Sequence, residues 1–559
     1  MTSVDELTWE APGPGFWEWQ GSHIPGVPTP IYGAVHLHTL PTSIGRMFER
    51  YGVPLHTMDE AMVNGRLFAS LQPLVGKAGA APPPKPLLWL ATRLHPEFRR
   101  RTRRAAAALD GRVWRARTEE WRATLRPALR EKNLAFQAED IARLDDAGLA
   151  DHVDRVHTHV VEGHLLHFDL HGDDMGPLGL FLAGCRDWGI APGDGIAALT
   201  GHSPSTMAAV EALRKVAVAV AATGPHATAP TTIDGLRALG PSVAAALDEY
   251  LDEYGWRVVT GYDIDAKTVG EMPEILVSNV LSLPADGSAD TAATGAAAGA
   301  ALRERVPEAE RGRFDEALAE ARVALDLRDD NGPMTAEWPV GLLRRSLLEV
   351  GRRAAARGAL VDAEHAVELT LDEARAMLRG GPGPGAAVVA QRAAARAAAS
   401  KVIPPATLGA EAPPPDLSAF PRPLARVTDM AMTAVRLLER EAHAPGSVDA
   451  PHRGLGVGTE AYAGPACVAH DPEEALANLA PGDVLVVPFT TPAYNAVLSI
   501  AGGLITEEGG ALSHAAVLAR ELDLPAVIGV SDALTNIGHG DEVEVDPTTG
   551  TVRLSPSRT

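Results

Sequence analysis

The sequence predicts a multidomain protein, with a mostly α-helical N-terminal region followed by a C-terminal α/β unit. Three observations carry this. The chain has 559 residues, too many for one ordinary core when domains run to roughly 100–200 residues. Up to about residue 440, long stretches of good helix formers place apolar residues at helical spacing, among them Glu119–Ala150, Asp151–His171, Ser203–Ala222, Arg313–Leu327 and Val340–Arg357. From about Pro451 the texture turns to short Val, Leu and Ile runs separated by Gly, Pro and Asp.

Within the C-terminal unit the runs read as a strand at Val484–Pro488, a helix at Ala493–Ala501, a strand at Gly503–Thr506, a helix at Ser513–Leu522 and a strand at Ala526–Val530. The tail alternates apolar and polar residues on both sides of Pro547-Thr548-Thr549-Gly550, the pattern of a β-hairpin. Clusters of Pro, Gly and Ala at Gly76–Pro86, Pro284–Ala300, Gly381–Gly385 and Gly409–Pro423 read as loops or linkers. The expected domains are therefore 1–440, which a break near 284–300 could divide in two, a hinge over 441–458, and an α/β domain over 459–559. The stretch from His443 to Gly458 holds two prolines and four glycines, residues that tolerate the backbone changes a swivel needs.

With 72 acidic against 50 basic residues, the chain lacks the cation excess that nucleic acid or an anionic membrane attracts. Cys185 and Cys467 are the only cysteines, too few for a disulfide framework or a cysteine zinc cluster. The N-terminus has acids and prolines where a signal peptide needs a basic start and an apolar core, and no apolar run approaches about 18 residues. A cytoplasmic, non-membrane protein is expected. Met1 and a C-terminus just past the hairpin favour a whole chain over a fragment.

Chemistry concentrates in Thr506-Glu507-Glu508-Gly509-Gly510-Ala511-Leu512-Ser513-His514. Two glycines let the backbone turn sharply, and Ser513 is a good N-cap for a helix starting at His514. A histidine is thereby displayed where free N–H groups and the helix dipole favour phosphate. Its free base is populated at neutral pH, so it is a competent nucleophile. On spacing alone, a capping loop with a solvent-satisfied histidine remains open.

With Ala515, Ala516, Ala519 and Arg520, and then Leu524-Pro525-Ala526-Val527, this segment resembles the mobile phosphohistidine domain of the PEP-utilising enzymes. Gly482-Asp483-Val484-Leu485-Val486, Thr490 and Pro492 support the resemblance, which spans about 453–554. It implies that His514 carries the phosphoryl group and that Thr506, Gly509, Gly510 and Ser513 cradle it. Arg520 and Glu521 lie further along the helix, where a structural ion pair is the simpler reading.

In that family the mobile domain moves between an ATP-grasp domain and an acceptor domain. A triphosphate site needs basic groups and magnesium carboxylates, yet Lys77, Lys85, Lys132, Lys215, Lys267 and Lys401 are the only lysines and none sits in a Gly-rich strand–turn setting. The nucleotide site is expected on a separate ATP-grasp partner that binds Mg2+ and ATP, with no tightly bound cofactor here. Whether the phosphoryl donor is ATP through such a partner or PEP stays open. The N-terminal part is similar to the substrate-binding domain of rifampicin phosphotransferases at Val63–Leu67, Gly255–Arg257 leading to Asp263–Asp265, and Trp338–Arg353 with Leu369–Glu373. It departs from that pattern at Trp256 and around Thr260–Asp263. The resemblance implies a small hydroxylated acceptor, an alcohol or phenol, in an organisation analogous to phenylphosphate synthase.

His157, His164, His167 and His171 fall at helical spacings, so imidazoles would line one helix face. A polar pocket wall, a metal site and a solvated face all fit, although no H-E-x-x-H motif is present. His36 and His38 alternate as on a strand or extended loop and read as structural. In-line transfer to oxygen needs positive charge and a base. Arg66, Arg257, Arg344 and Arg345 are the candidates for the charge, and His164, His167, Asp263 and Asp265 for the base. No metal ligands are assigned. The rival reading is a non-enzymatic regulatory or binding protein that keeps the histidine domain as a phosphorylation sensor.

Overall fold

A computed structural model describes residues 7–21, 23–224, 229–283, 291–438, 452–490, 494–511 and 513–554. The chain divides into two compact units that interleave along the sequence. The first comprises Met1–Gly176, Gly261–Ala266 and Asn331–Ala431, and the second Pro177–Thr260, Lys267–Asp330 and Met432–Thr559. The division thus falls near 176 and 330 rather than near 284–300, and the short return at Gly261–Ala266 has a local cause. Asp263 accepts hydrogen bonds from the Thr29 amide and hydroxyl at 2.7 and 2.6 Å, which ties that segment to the first unit.

The first unit is mainly helical but contains a sheet that the helical reading of this region omitted. Strands β1 (Trp17–Trp19), β2 (Leu55–Val63), β3 (Arg66–Pro73) and β4 (Thr407–Leu408) form an antiparallel sheet in the order β2-β3-β1-β4. Asn64 and Gly65, both at positive φ, make the turn between β2 and β3. Helix Pro30–Tyr51 packs against helix Asp146–Asp169. His36 and His38 lie on the first of these, not on a strand. Two residues of alternation cannot separate strand from helix, whereas the 22-residue amphipathic run around them can. Gly163 admits the backbone of Thr335, whose carbonyl would lie 2.1 Å from an added Cβ.

In the second unit, helix Thr291–Arg305 occupies part of the alanine- and glycine-rich stretch expected to be a linker; residues 284–290 lie outside the described ones. Alanine is the strongest helix former, and the glycines serve close packing. A Cβ on Gly295 would meet the Thr200 carbonyl at 2.1 Å.

The eight-stranded sheet of this unit runs β5 (His452–Arg453), β12 (Thr551–Leu554), β11 (Glu542–Asp546), β7 (Tyr462–Val468), β8 (Val484–Val487), β9 (Gly503–Thr506), β10 (Ala526–Ile528), β6 (Leu455–Val457). Strands β7 to β10 are parallel and the outer strands antiparallel. Alternate residues of the central strands feed opposite cores. Leu485, Val487 and Leu504 pack under the helix His514–Glu521, and Val484, Val486 and Ile505 pack on the other face. Burial on both faces explains the continuous apolar runs.

The expected hinge over 441–458 has two fates. Residues 441–451 lie outside the described residues, while from His452 onward the chain is built into the sheet as β5 and β6. Its glycines are packing glycines there: a Cβ on Gly456 would stand 1.7 Å from the Pro547 carbonyl oxygen. No described helix is long and apolar enough to cross a membrane.

Candidate functional site

His514 stands at the C-terminal edge of the parallel strands, on the loop after β9, where open α/β sheets place their ligands. It is the first residue of helix His514–Glu521. The Ser513 side chain caps that helix by accepting from the Ala516 amide at 3.3 Å. Gly509, at φ +119°, makes the turn, and a Cβ there would crowd the Ser513 hydroxyl at 2.8 Å. Gly510 accepts from the Ser513 amide at 3.0 Å. Thr506 is fully buried, and its hydroxyl donates to the Glu508 carbonyl at 2.8 Å, so it shapes the loop. Arg520 donates to the Ala511 carbonyl at 2.6 Å and closes the loop from the other end.

The half-buried His514 ring meets the hydroxyl of buried Thr490, after β8, through Nδ1 at 2.8 Å. Burial, helped by the positive charge of Arg328, lowers its pKa from 6.5 to about 4. Arg328 itself donates to Asp329 at 3.1 Å. His514 is therefore a neutral imidazole at physiological pH, with one nitrogen necessarily carrying a lone pair.

Glu521 makes no ion pair with Arg520 among the described contacts. Its buried carboxylate instead accepts from the Gly201 amide at 2.8 Å and the Thr291 hydroxyl at 3.0 Å. The His514 helix is thereby tied to the helical segment of its own unit, and Met207 also packs against the core beneath that helix. Sequence reasoning assigns no site role to Thr490, Arg328 or Glu521. Thr490 had a signal in its Thr-Thr-Pro setting, while Arg328 and Glu521 depend on neighbours far away in sequence.

The acceptor candidates separate into two groups. The arginines are engaged in structure. Arg66 donates to the carbonyls of Ala399 and Val402 at 2.8 and 2.6 Å. Arg345 caps a helix end at the carbonyls of Phe136, Gln137 and Glu139. Arg344 binds Glu364 and the Ile264 carbonyl, and Arg257, in the second unit, binds Glu253 and lies over Tyr254. Asp265 pairs with Arg396 at 2.6 Å. Asp263, besides holding Thr29, has its pKa raised to about 7 by burial and by Asp265.

His164 and His167 do come together, in the first unit. His167 lies 4.8 Å from the His171 ring and 3.3 Å from the Thr335 hydroxyl, and burial pushes its pKa well down. His164 has its pKa lowered to about 4, by burial first and then by His36. His36 meets Glu60 through Nδ1 at 2.6 Å. His157, two turns earlier on the same helix, is half-buried and stands apart from these ring contacts. Among the described residues no set of three His, Cys, Asp or Glu side chains is arranged to hold a metal.

Residues 479–550 match the model of the PEP-utilising enzyme mobile domain, and residues 181–329 match that of the rifampicin phosphotransferase fourth domain. The rifampicin phosphotransferase of Streptomyces sviceus is 28% identical over 345 residues, covering 56% of this chain and 35% of that protein. Chondramide synthase cmdD of Chondromyces crocatus is 30% identical over 333 residues, 56% of this chain and 8% of that protein. Phosphoenolpyruvate synthase of Escherichia coli is 39% identical over 103 residues, 18% of this chain and 13% of that protein. The chain thus spans about a third or less of the length of these curated relatives.

Proposed function

We propose that this chain, which carries a PEP-utilising enzyme mobile domain, is a phosphotransferase component that accepts a phosphoryl group on His514 and passes it to a small alcohol or phenol. The observation that carries the reading is a neutral imidazole displayed on the first turn of a helix behind a glycine turn. If Nδ1–H donates to Thr490, Nε2 keeps the lone pair and attacks phosphorus. The N–P bond forms as the donor's P–O bond breaks, and helix N–H groups and Arg328 offset the charge on the moving group.

In this reading the phosphoryl group comes from MgATP held by an ATP-grasp partner, the arrangement that the resemblance to the PEP-utilising enzymes suggests. The acceptor belongs to the first unit, where His164 and His167 supply neutral bases. One histidine can serve both places only if its domain travels, because reacting atoms must come within about 3–3.5 Å. The test is mass spectrometry of the intact chain with an ATP-grasp partner and MgATP. A mass gain of one phosphoryl group that disappears on adding a phenol or alcohol is expected. A label that forms but never discharges to a hydroxyl favours the regulatory reading, and no label sinks the carrier role.

A further inference from the structure

We infer that the first unit contains a buried recognition site for a hydrogen-bond donor, a neutral hydroxyl-bearing small molecule, built from Tyr32, His36, Glu60 and His164. The inference deepens the proposed acceptor role and rests on it for its biological meaning, though the chemistry stands on the side chains alone. Tyr32 and His36 are one helical turn apart on helix Pro30–Tyr51 and face His164 and Phe168, one turn apart on helix Asp146–Asp169. The Tyr32 ring meets His164 edge-on at 5.6 Å, and His36 meets Phe168 edge-on at 5.3 Å. Strand β2 adds Glu60, whose side chain is wholly buried.

Two atoms in this aromatic-walled cluster have no partner. His164 is 1% exposed, and its Nδ1 lies 2.9 Å from the Val160 carbonyl. A carbonyl only accepts, so Nδ1 carries the hydrogen and Nε2 is a bare lone pair. That Nε2 is buried and unpaired. Glu60 receives His36 Nδ1 on Oε2, while its Oε1 is likewise buried and unpaired. Buried polar atoms are almost always satisfied, and an orphan in a native fold calls for an explanation. Both orphans are acceptors, so the missing group is a donor. A carboxylate or phosphate ester would bring only further acceptors to Glu60, with Asp263 and Glu337 also near Tyr32. A hydroxyl on an apolar or aromatic body can donate its one hydrogen to either of these lone pairs, and the body fits the ring walls.

The test uses the full chain carrying His514→Ala, without partner or nucleotide, so that it reads binding alone and its outcome is separable from the fate of the phosphohistidine reading. Calorimetry compares phenol, its methyl ether anisole, which has the same ring but no donor, and benzoate, an anion. Saturable binding of phenol, at least tenfold tighter than anisole or benzoate, is expected, with at least tenfold loss in His164→Leu. Should that variant fail to fold, Glu60→Gln, which keeps the shape and replaces an acceptor by a donor, is expected to weaken phenol similarly. Equal binding of phenol and anisole, unchanged binding in folded variants, or no phenol binding at all, as for a site that traps only water, would overturn the inference.

Discussion

His514 and His164 stand in different units and have pKa values lowered to about 4 for the same leading reason, burial. Their surroundings otherwise differ. His514 is half-buried at a helix start, behind a glycine turn and above the ends of parallel strands. His164 is 1% exposed in mid-helix among aromatic rings. The depressed pKa therefore marks only a neutral imidazole. Chemistry follows from what surrounds the lone pair: N–H groups and a cation beside His514 favour an incoming phosphoryl group, while acids and rings around His164 favour a donor hydroxyl.

The largest expected effect breaks this comparison most directly. His514→Ala should remove acid-labile, base-stable phosphoryl labelling altogether, whereas His164→Ala should label at a normal rate and lose only discharge to acceptor. Quantifying radiolabel from the partner's ATP checks both, and persistent labelling of His514→Ala would mean that the carrier is another residue.

Next comes the pH profile. A pKa of about 4 leaves His514 neutral throughout pH 8 to 5, so its rate of charging should be flat there. An imidazole at 6.5 would lose about 30-fold in free base between pH 8 and pH 5. Initial rates with the partner held saturating decide between them, and a midpoint near 6.5 would show that the ring is solvated when it reacts.

The Glu521 contact sharpens the comparison from the other side, since it fixes the His514 helix and has no counterpart at His164. Losing a charged acceptor with two partners weakens the hold by about 1.5–3 kcal/mol. Glu521→Ala should raise hydrogen exchange at the Gly201 amide by about tenfold or more. Unchanged protection would assign the contact no holding role.

Gly456→Ala should cost about 1–3 kcal/mol in a urea titration, because backbone rather than a flexible side chain meets the new methyl group. A silent substitution would mean that β6 detaches easily and that the hinge extends to Gly458 after all.

What the sequence determined by itself is local. The Gly509 turn, the Ser513 cap, the helix starting at His514 and the hairpin about Pro547–Gly550 each depend on neighbours within a few residues, so residue type and spacing were sufficient. The long helices followed for the same reason. The tertiary structure decided whatever depends on distant partners. From its type Arg66 could offer charge to a phosphoryl group, but its hydrogen bonds go to carbonyls 333 and 336 residues away. The alternation of His36 and His38 suggests extended backbone, yet His36 is helical and its partner Glu60 arrives on a strand. Adjacency to Arg520 suggests an ion pair for Glu521, whereas its oxygens reach Gly201 and Thr291. A charged side chain takes whichever partners the fold delivers to it, and periodicity carries no record of which distant segment that is.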